Sequence, residues 1–235
     1  MSNLQDKVVI DIAGLPNPLT TELLTMGVKE VHGVNIVPLP APGNTAPSRY
    51  FHHVGDARDL PISVPFADMI IACSALEHLP DLSDCLKSAL SKLRSGGILV
   101  MHGGPLWPRK QGHHIWLERE GQNYFFGTAT DPIPAWGHLS YKEMDFENML
   151  VEKGINPSHC SAICEKVYHG SSINRQSVTQ IKSDFQNTRQ LAVGFTEYHW
   201  GVPDLQQFEK IAALGHTYSE SDLMTGEVVG VIRKF

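Results

Sequence analysis

The chain has few cysteines, no surplus of positive charge, no long apolar run and no internal repeat. Four cysteines without a framework spacing exclude a disulfide-stapled scaffold and point to reduced thiols in a cytoplasmic protein. A net charge of −6 and a pI near 6.0 leave no positive field to supply counterion release. Neither nucleic acid nor a membrane surface is therefore an expected partner. No stretch approaches the roughly 20 apolar residues that span a bilayer, and the opening MSNLQDKVVIDIAG lacks a signal-peptide layout. What remains is ordinary for a globular protein, with 42% hydrophobic and 19% charged residues. At 235 residues the expectation is one α/β domain with an embellishment rather than two equal domains.

The strongest local signal lies between Phe66 and Gly104. Residues 68–74, DMIIACS, form the nearly unbroken apolar run of a strand covered on both faces. Leu82, Cys85, Leu86, Ala89, Leu90 and Leu93 then recur at helical spacing, with Asp81 as the N-cap and Lys92 and Arg94 near the C-terminal end. Gly96-Gly97 is expected to stop that helix, and Ile98–Met101 to begin the next strand. The result is a βαβ unit.

Taken in order, residues 7–13 read as a first strand, followed by a helix carrying Leu23, Leu24 and Met26 and closed by Gly27. Residues 28–37 read as a second strand, 38–48 as a proline- and glycine-rich loop, and 50–54 as a short strand. Later helices are expected over 144–153, 159–168 and around Val178, Ile181 and Phe185. Cys160 and Cys164 fall on the apolar face of the second of these and read as core. The end returns to a strand over 192–200, a helix from Asp204 to about Gly215, a linker turn over 218–224, and a final antiparallel strand over 227–233.

Residues 102–116, HGGPLWPRKQGHHIW, are too rich in Gly, Pro, Trp and His for a plain connection. Leaving the carboxyl edge of a sheet, they would lie where open α/β folds bind ligands. Neighbouring histidines on extended chain point opposite ways, so at most one of His113 and His114 joins a given cluster, and no metal is expected. Trp107, Trp116 and Trp136 read as core or pocket wall.

Three segments carry a resemblance: SALEHLPD at 74–81, LRSGGILVM at 93–101 and GDARDLP at 55–61. Together they resemble the class I S-adenosylmethionine (SAM) dependent methyltransferase family. The GPLW…GHH, Trp136-Gly-His138-Leu139 and Ile173-Asn174-Arg175 segments resemble a methyltransferase-like subset. The resemblance implies a Rossmann-like fold: a seven-stranded, mostly parallel sheet in a single domain spanning 1–235, with a helical cap at about 118–190 between strands five and six. It implies SAM as cofactor, held by Asp11, Ala13, Gly14, Asn35, Ile36, Asp56, Ala57, Ser74 and Ala75. Asp56 would accept from the adenine amino group. Glu77, His78, His113 and His114 become the catalytic candidates, and Trp107, Arg109, Trp136 and His138 the substrate-binding ones.

The chain departs from the family pattern at named places. Asp11 is kept, but Ala13, Leu15 and Asn17 stand where glycines are usual, and Gly14 falls where glycine is not demanded. Asn17 is able to take a left-handed conformation and Ala13 is small, whereas Leu15 fits the glycine position poorly. Asn35 stands in place of the acid that grips the ribose. The expected activity is in-line methyl transfer to a small-molecule acceptor. Two alternatives stay open: a catalytically silent binding or assembly subunit, and a SAM-using lyase or cyclase on the same fold.

Overall fold

The apolar run near the N-terminus forms β1 (Val8–Ile12), all five residues of which are buried. It opens a computed structural model that describes residues 4–39, 47–188 and 192–235. The stretch 40–46, part of the expected proline- and glycine-rich loop, lies outside the described residues. Helix α1 (Pro18–Thr25) follows, with Pro18 at its first turn and Leu23 and Leu24 turned inward, whereas Met26 is exposed. Next come β2 (Glu30–Asn35), β3 (Tyr50–Val54) and β4 (Ala67–Ala72). A single 3₁₀ turn at Leu76–His78 leads into α2 (Leu82–Lys92), and β5 (Leu93–Gly103) ends this first part.

Asp81 caps α2 as expected, accepting from Asp84 N at 3.2 Å. The glycine pair does not end the helix, which stops at Lys92. Gly96, at φ +78°, lies inside β5, beside a register shift against β4. The C-terminus explains the difference. Lys234 Nζ donates to Leu90 O and Leu93 O, each at 2.8 Å, and closes the helix end. Its backbone also pairs with Gly96 N at 2.6 Å and Gly97 O at 3.0 Å. The glycines thus serve a strand junction rather than a helix cap.

A hairpin that periodicity did not indicate comes next, β6 (Trp116–Arg119) and β7 (Gln122–Phe125), joined by Glu120-Gly121 with both φ angles positive. Short helices follow: α3 (Gly137–Ser140), α4 (Glu143–Glu152), α5 (Pro157–Cys164), continued by a π turn over Glu165–His169, and α6 (Val178–Gln186). The chain closes with β8 (Ala192–His199), α7 (Leu205–Ala213), α8 (Glu220–Met224) and β9 (Thr225–Arg233). The expected linker turn is therefore α8, started by a capping box between Ser219 and Asp222.

The main sheet has the order β3-β2-β1-β4-β5-β9-β8. The pairs from β3 to β5 are parallel and β5–β9 is antiparallel. The order reverses between β1 and β4, the place where open α/β sheets bind ligands beyond the strand ends.

Two units make up the chain. The first comprises Met1–Gly103, Gln180–Thr196 and Val228–Phe235. One of its cores packs Leu23, Leu24 and Val28 against Val9, Val31, Tyr50 and Ile71 of the strands. The second comprises Gly104–Thr179 and Glu197–Glu227, so it begins before the expected cap boundary and takes in α7 and α8 as well. It has a core of its own, including Trp107, Ile115, Trp136, Leu139, Phe146, Ile163 and Leu223. Cys160 and Cys164 belong to that core. No helix among the described residues is long and apolar enough to cross a membrane.

Candidate functional site

In the first unit, the carboxyl ends of β1, β2 and β4 place the expected cofactor residues. Asp11, next to last in β1, is 3% exposed, and its carboxylate has no hydrogen bond or ion pair among the described residues. Burial alone pushes its pKa up to about 7. Ala13 follows in the left-handed region at φ +59°, a conformation that costs a residue with a Cβ roughly 1 kcal/mol or more. A Cβ on Gly14 would collide with the Asp11 carboxyl. Glycine is therefore demanded at 14, contrary to the expectation, because the turn folds its backbone onto the acid. Asn17 does not use its left-handed freedom. It is extended at φ −146° and caps α1, accepting from Thr20 N at 3.0 Å. Leu15 is 37% exposed.

Asn35 ends β2 with both ends of its amide engaged. Nδ2 donates to Ala13 O at 2.8 Å and Oδ1 accepts from Val37 N at 3.1 Å. Ile36 beside it is exposed. Tyr50, which sequence reasoning passed over, donates its hydroxyl to Gly14 O at 3.4 Å. Burial, with Asp11 adding to it, pushes its pKa up to about 12. No pattern in the sequence flagged it, since its role depends on Gly33, where a Cβ would collide with the Tyr50 hydroxyl.

Past β3, Asp56 forms a bidentate pair with Arg58 at 3.0 and 2.7 Å and also accepts from Arg58 N at 2.8 Å. These bonds hold its pKa below the usual carboxylate range. Ala57 is buried. At the end of β4, Ser74 is left-handed at φ +50°, and His102 of β5 pins the turn. Its Nδ1 accepts from Ser74 N and its carbonyl from Ala75 N, both at 3.2 Å. Glu77 is buried against Gly103, where a Cβ would strike its carboxylate, and its Oε1 lies 3.9 Å from Nε2 of the more exposed His78.

The remaining candidates sit in the second unit. His138 is buried and donates from Nε2 to Trp107 O at 2.8 Å, with the two rings edge to face at 4.6 Å. Burial pushes its pKa down to about 4. His113 packs edge-on to His138 at 5.4 Å, accepts from Ile115 N at 3.2 Å, and turns Nε2 toward Asp131 Oδ2 at 3.6 Å. Burial holds it far below the usual histidine range. His114 takes the other direction, at φ +45°, and its ring meets Phe126 at 4.7 Å. Arg109 is buried, with its guanidinium 5.6 Å from the Trp136 ring, and Trp136 Nε1 donates to Pro108 O at 3.1 Å. Arg175 ties loops together through Val167 O and Gly170 O at 2.9 and 2.8 Å, and lies 5.0 Å from the Trp107 ring. Asp131 was not foreseen. It is held by Gly127 N and Ile133 N at 2.9 and 3.0 Å, an acidic turn before Pro132 that resembles any solvated loop in sequence.

The comparisons with known proteins bear on the first unit most directly. Residues 11–101 match the family model described as a methyltransferase domain. No curated protein matches the chain. Many solved structures share the fold, these three among them. One is a candidate SAM-dependent methyltransferase from Listeria monocytogenes, 11% identical, covering 100% of this chain and 94% of its own at a TM-score of 0.55. Another is a SAM-dependent methyltransferase from Mesorhizobium loti, 13% identical, with 99% and 94% covered and a TM-score of 0.53. The third is phosphoethanolamine N-methyltransferase 2 from Haemonchus contortus, solved with SAM, 11% identical, with 98% of this chain and 49% of that chain covered and a TM-score of 0.52. The matched segment runs from Asp11 through Met101, and the strand order of the sheet and these structures give the chain a Rossmann-like α/β fold of the class I methyltransferase type.

Proposed function

We propose that the chain is an active SAM-dependent methyltransferase that methylates a small molecule in the cytoplasm, and that it acts on neither nucleic acid nor a membrane. The observation that carries this reading is the buried Asp11 carboxyl, which no described residue satisfies. An ionised carboxylate there calls for a cation, and the α-ammonium of SAM supplies one. The SAM-bound Haemonchus contortus enzyme, which shares the fold, supports the same choice. SAM brings an electrophilic methyl group on a sulfonium. Asp11, Ala13 and Gly14 would hold its methionine part, Asn35 and Ile36 its ribose, and Asp56, Ala57, Ser74 and Ala75 its adenine side.

The chain's own contribution is alignment and exclusion of water. His78, more exposed than Glu77 and close to it, is the base for an acceptor that must lose a proton. Trp107, Arg109, Trp136 and His138 are the acceptor-binding residues, with His113 and His114 beside them in sequence. The moderate negative charge is consistent with a small-molecule acceptor.

One observation favours a second reading, a silent binding subunit. Asn35, the ribose position, already spends both ends of its amide on the protein. Titration calorimetry with SAM and S-adenosylhomocysteine separates the two. Heat with both ligands, lost in Asp11→Ala, supports the cofactor site; no heat at about millimolar ligand favours the silent subunit. Release of methylthioadenosine instead of S-adenosylhomocysteine would identify a lyase or cyclase.

A further inference from the structure

Arg109 is a buried cation without a counter-ion. It is 1% exposed, and neither its Nε nor its Nη2 has a hydrogen-bond partner among the described residues. The guanidinium makes one backbone contact, Nη1 to Gly201 O at 3.3 Å, and its Cζ lies over the Trp136 ring, 5.6 Å from the centroid. No carboxylate pairs with it among the described residues. An unpaired charge at such depth is strongly unfavourable, and arginine cannot escape by losing its proton. Burial does pull its pKa down, but from a value far above neutrality.

The geometry narrows the missing partner. Gly201 O takes the Nη1 side, which leaves the edge bearing the Nε and Nη2 hydrogens without a partner among the described residues. Those two parallel donors match the two oxygens of a planar carboxylate. Charge selects between anions as well. A carboxylate neutralises one guanidinium, whereas a dianionic phosphate would leave a net negative charge in the same interior. The Gly201 side is loop. Residues 200–204 belong to no helix or strand, and Gly201 sits at φ +71°, where its missing Cβ would lie 3.8 Å from Nη2.

We propose that Arg109 is the anchor of a carboxylate-binding site in the second unit, and that the methyl acceptor carries a carboxylate. The second clause rests on the proposed function; the site itself does not.

The test uses the full chain without SAM, titrated with acetate, benzoate and phenylacetate, and with benzamide and inorganic phosphate as controls. At about 10 mM, at least one carboxylate is expected to raise the melting temperature by several degrees while benzamide does not. Arg109→Met should abolish the shift and, with no anion present, melt no lower than the wild type. Absence of any carboxylate shift overturns the proposal, as does a shift that survives in Arg109→Met or one given by phosphate alone. Should Arg109→Met fail to fold, Arg109→Lys keeps the charge but not the edge. Its carboxylate affinity should drop about tenfold, and unchanged affinity would reject the site. Because SAM is absent, carboxylate binding without SAM binding defeats only the proposed function, and the converse defeats only this site.

Discussion

Asn35 and Ala13 are joined by a hydrogen bond from side-chain amide to backbone carbonyl, 2.8 Å long, between the ends of β2 and β1. The bond fixes the carbonyl of a residue held at φ +59°. A carboxylate at position 35 has no proton to give and would face that carbonyl as a second acceptor. Asparagine here therefore has a structural reason besides its departure from the family acid.

Asn35→Asp should accordingly lower stability by about 1 kcal/mol, the usual net worth of such a bond. Urea unfolding reads this as a lower midpoint at unchanged slope. An unmoved midpoint would mean that the bond contributes nothing.

Gly14→Ala drives a methyl group into the Asp11 carboxyl and should cost about 1–3 kcal/mol, the range for overpacking a buried site. Combining it with Asp11→Ala should restore part of that loss, because the carboxyl is gone while the Cβ at 2.8 Å remains. Strict additivity in the double variant would place the clash elsewhere.

Asp11 gives a pH dependence of known sign. Its folded pKa of about 7 lies above the ordinary 3.8, so the folded state holds a proton that the unfolded chain has released. Its contribution is fully present below about pH 4 and is lost as pH rises to about 7. Asp11→Asn should remove that loss and be more stable than the wild type at pH 8. SAM binding below pH 7 should release a proton, visible as a dependence of the calorimetric heat on the buffer's ionisation enthalpy.

His138 acts in the opposite sense. Its folded pKa of about 4 lies below the ordinary 6.5, so stability falls as pH drops between those values. His138→Gln keeps a donor for Trp107 O and removes the titration. Melting curves from pH 7 to pH 4 should show the variant losing less than the wild type. Equal losses would show that His138 is not the acid-sensitive group.

Lys234→Met removes both side-chain bonds to the end of α2. A cost of about 1–2 kcal/mol is expected, combining lost hydrogen bonds with the helix dipole. Faster amide exchange should appear over residues 90–97, and unchanged exchange there would assign the helix end to other contacts.

The centre of the parallel sheet was legible because β1 and β4 are nearly continuous apolar runs and α2 has one clean apolar face with its cap at Asp81. The hairpin β6–β7 was not, since Glu120 takes a left-handed turn position that sequence rules reserve for Asn, Asp or Gly. Candidate residues were legible as neighbourhoods, but their use was not. Gly14 looked dispensable because its need arises from a side chain three residues back that folds onto it. Arg109 was placed beside a ligand, yet nothing in PLWPRKQ announces that its guanidinium is buried without a counter-charge.

The chain passes between its two units at four points, 103/104, 179/180, 196/197 and 227/228. No single cut can release the second unit as an intact fragment, so a trimmed clone ending before residue 228 would also strip the central sheet of its antiparallel strand. Every residue assigned to SAM, and the base His78, precede the first crossing, and every residue assigned to binding the acceptor follows it. Grafting residues 104–179 and 197–227 from a relative should therefore exchange the acceptor and leave cofactor affinity where it was.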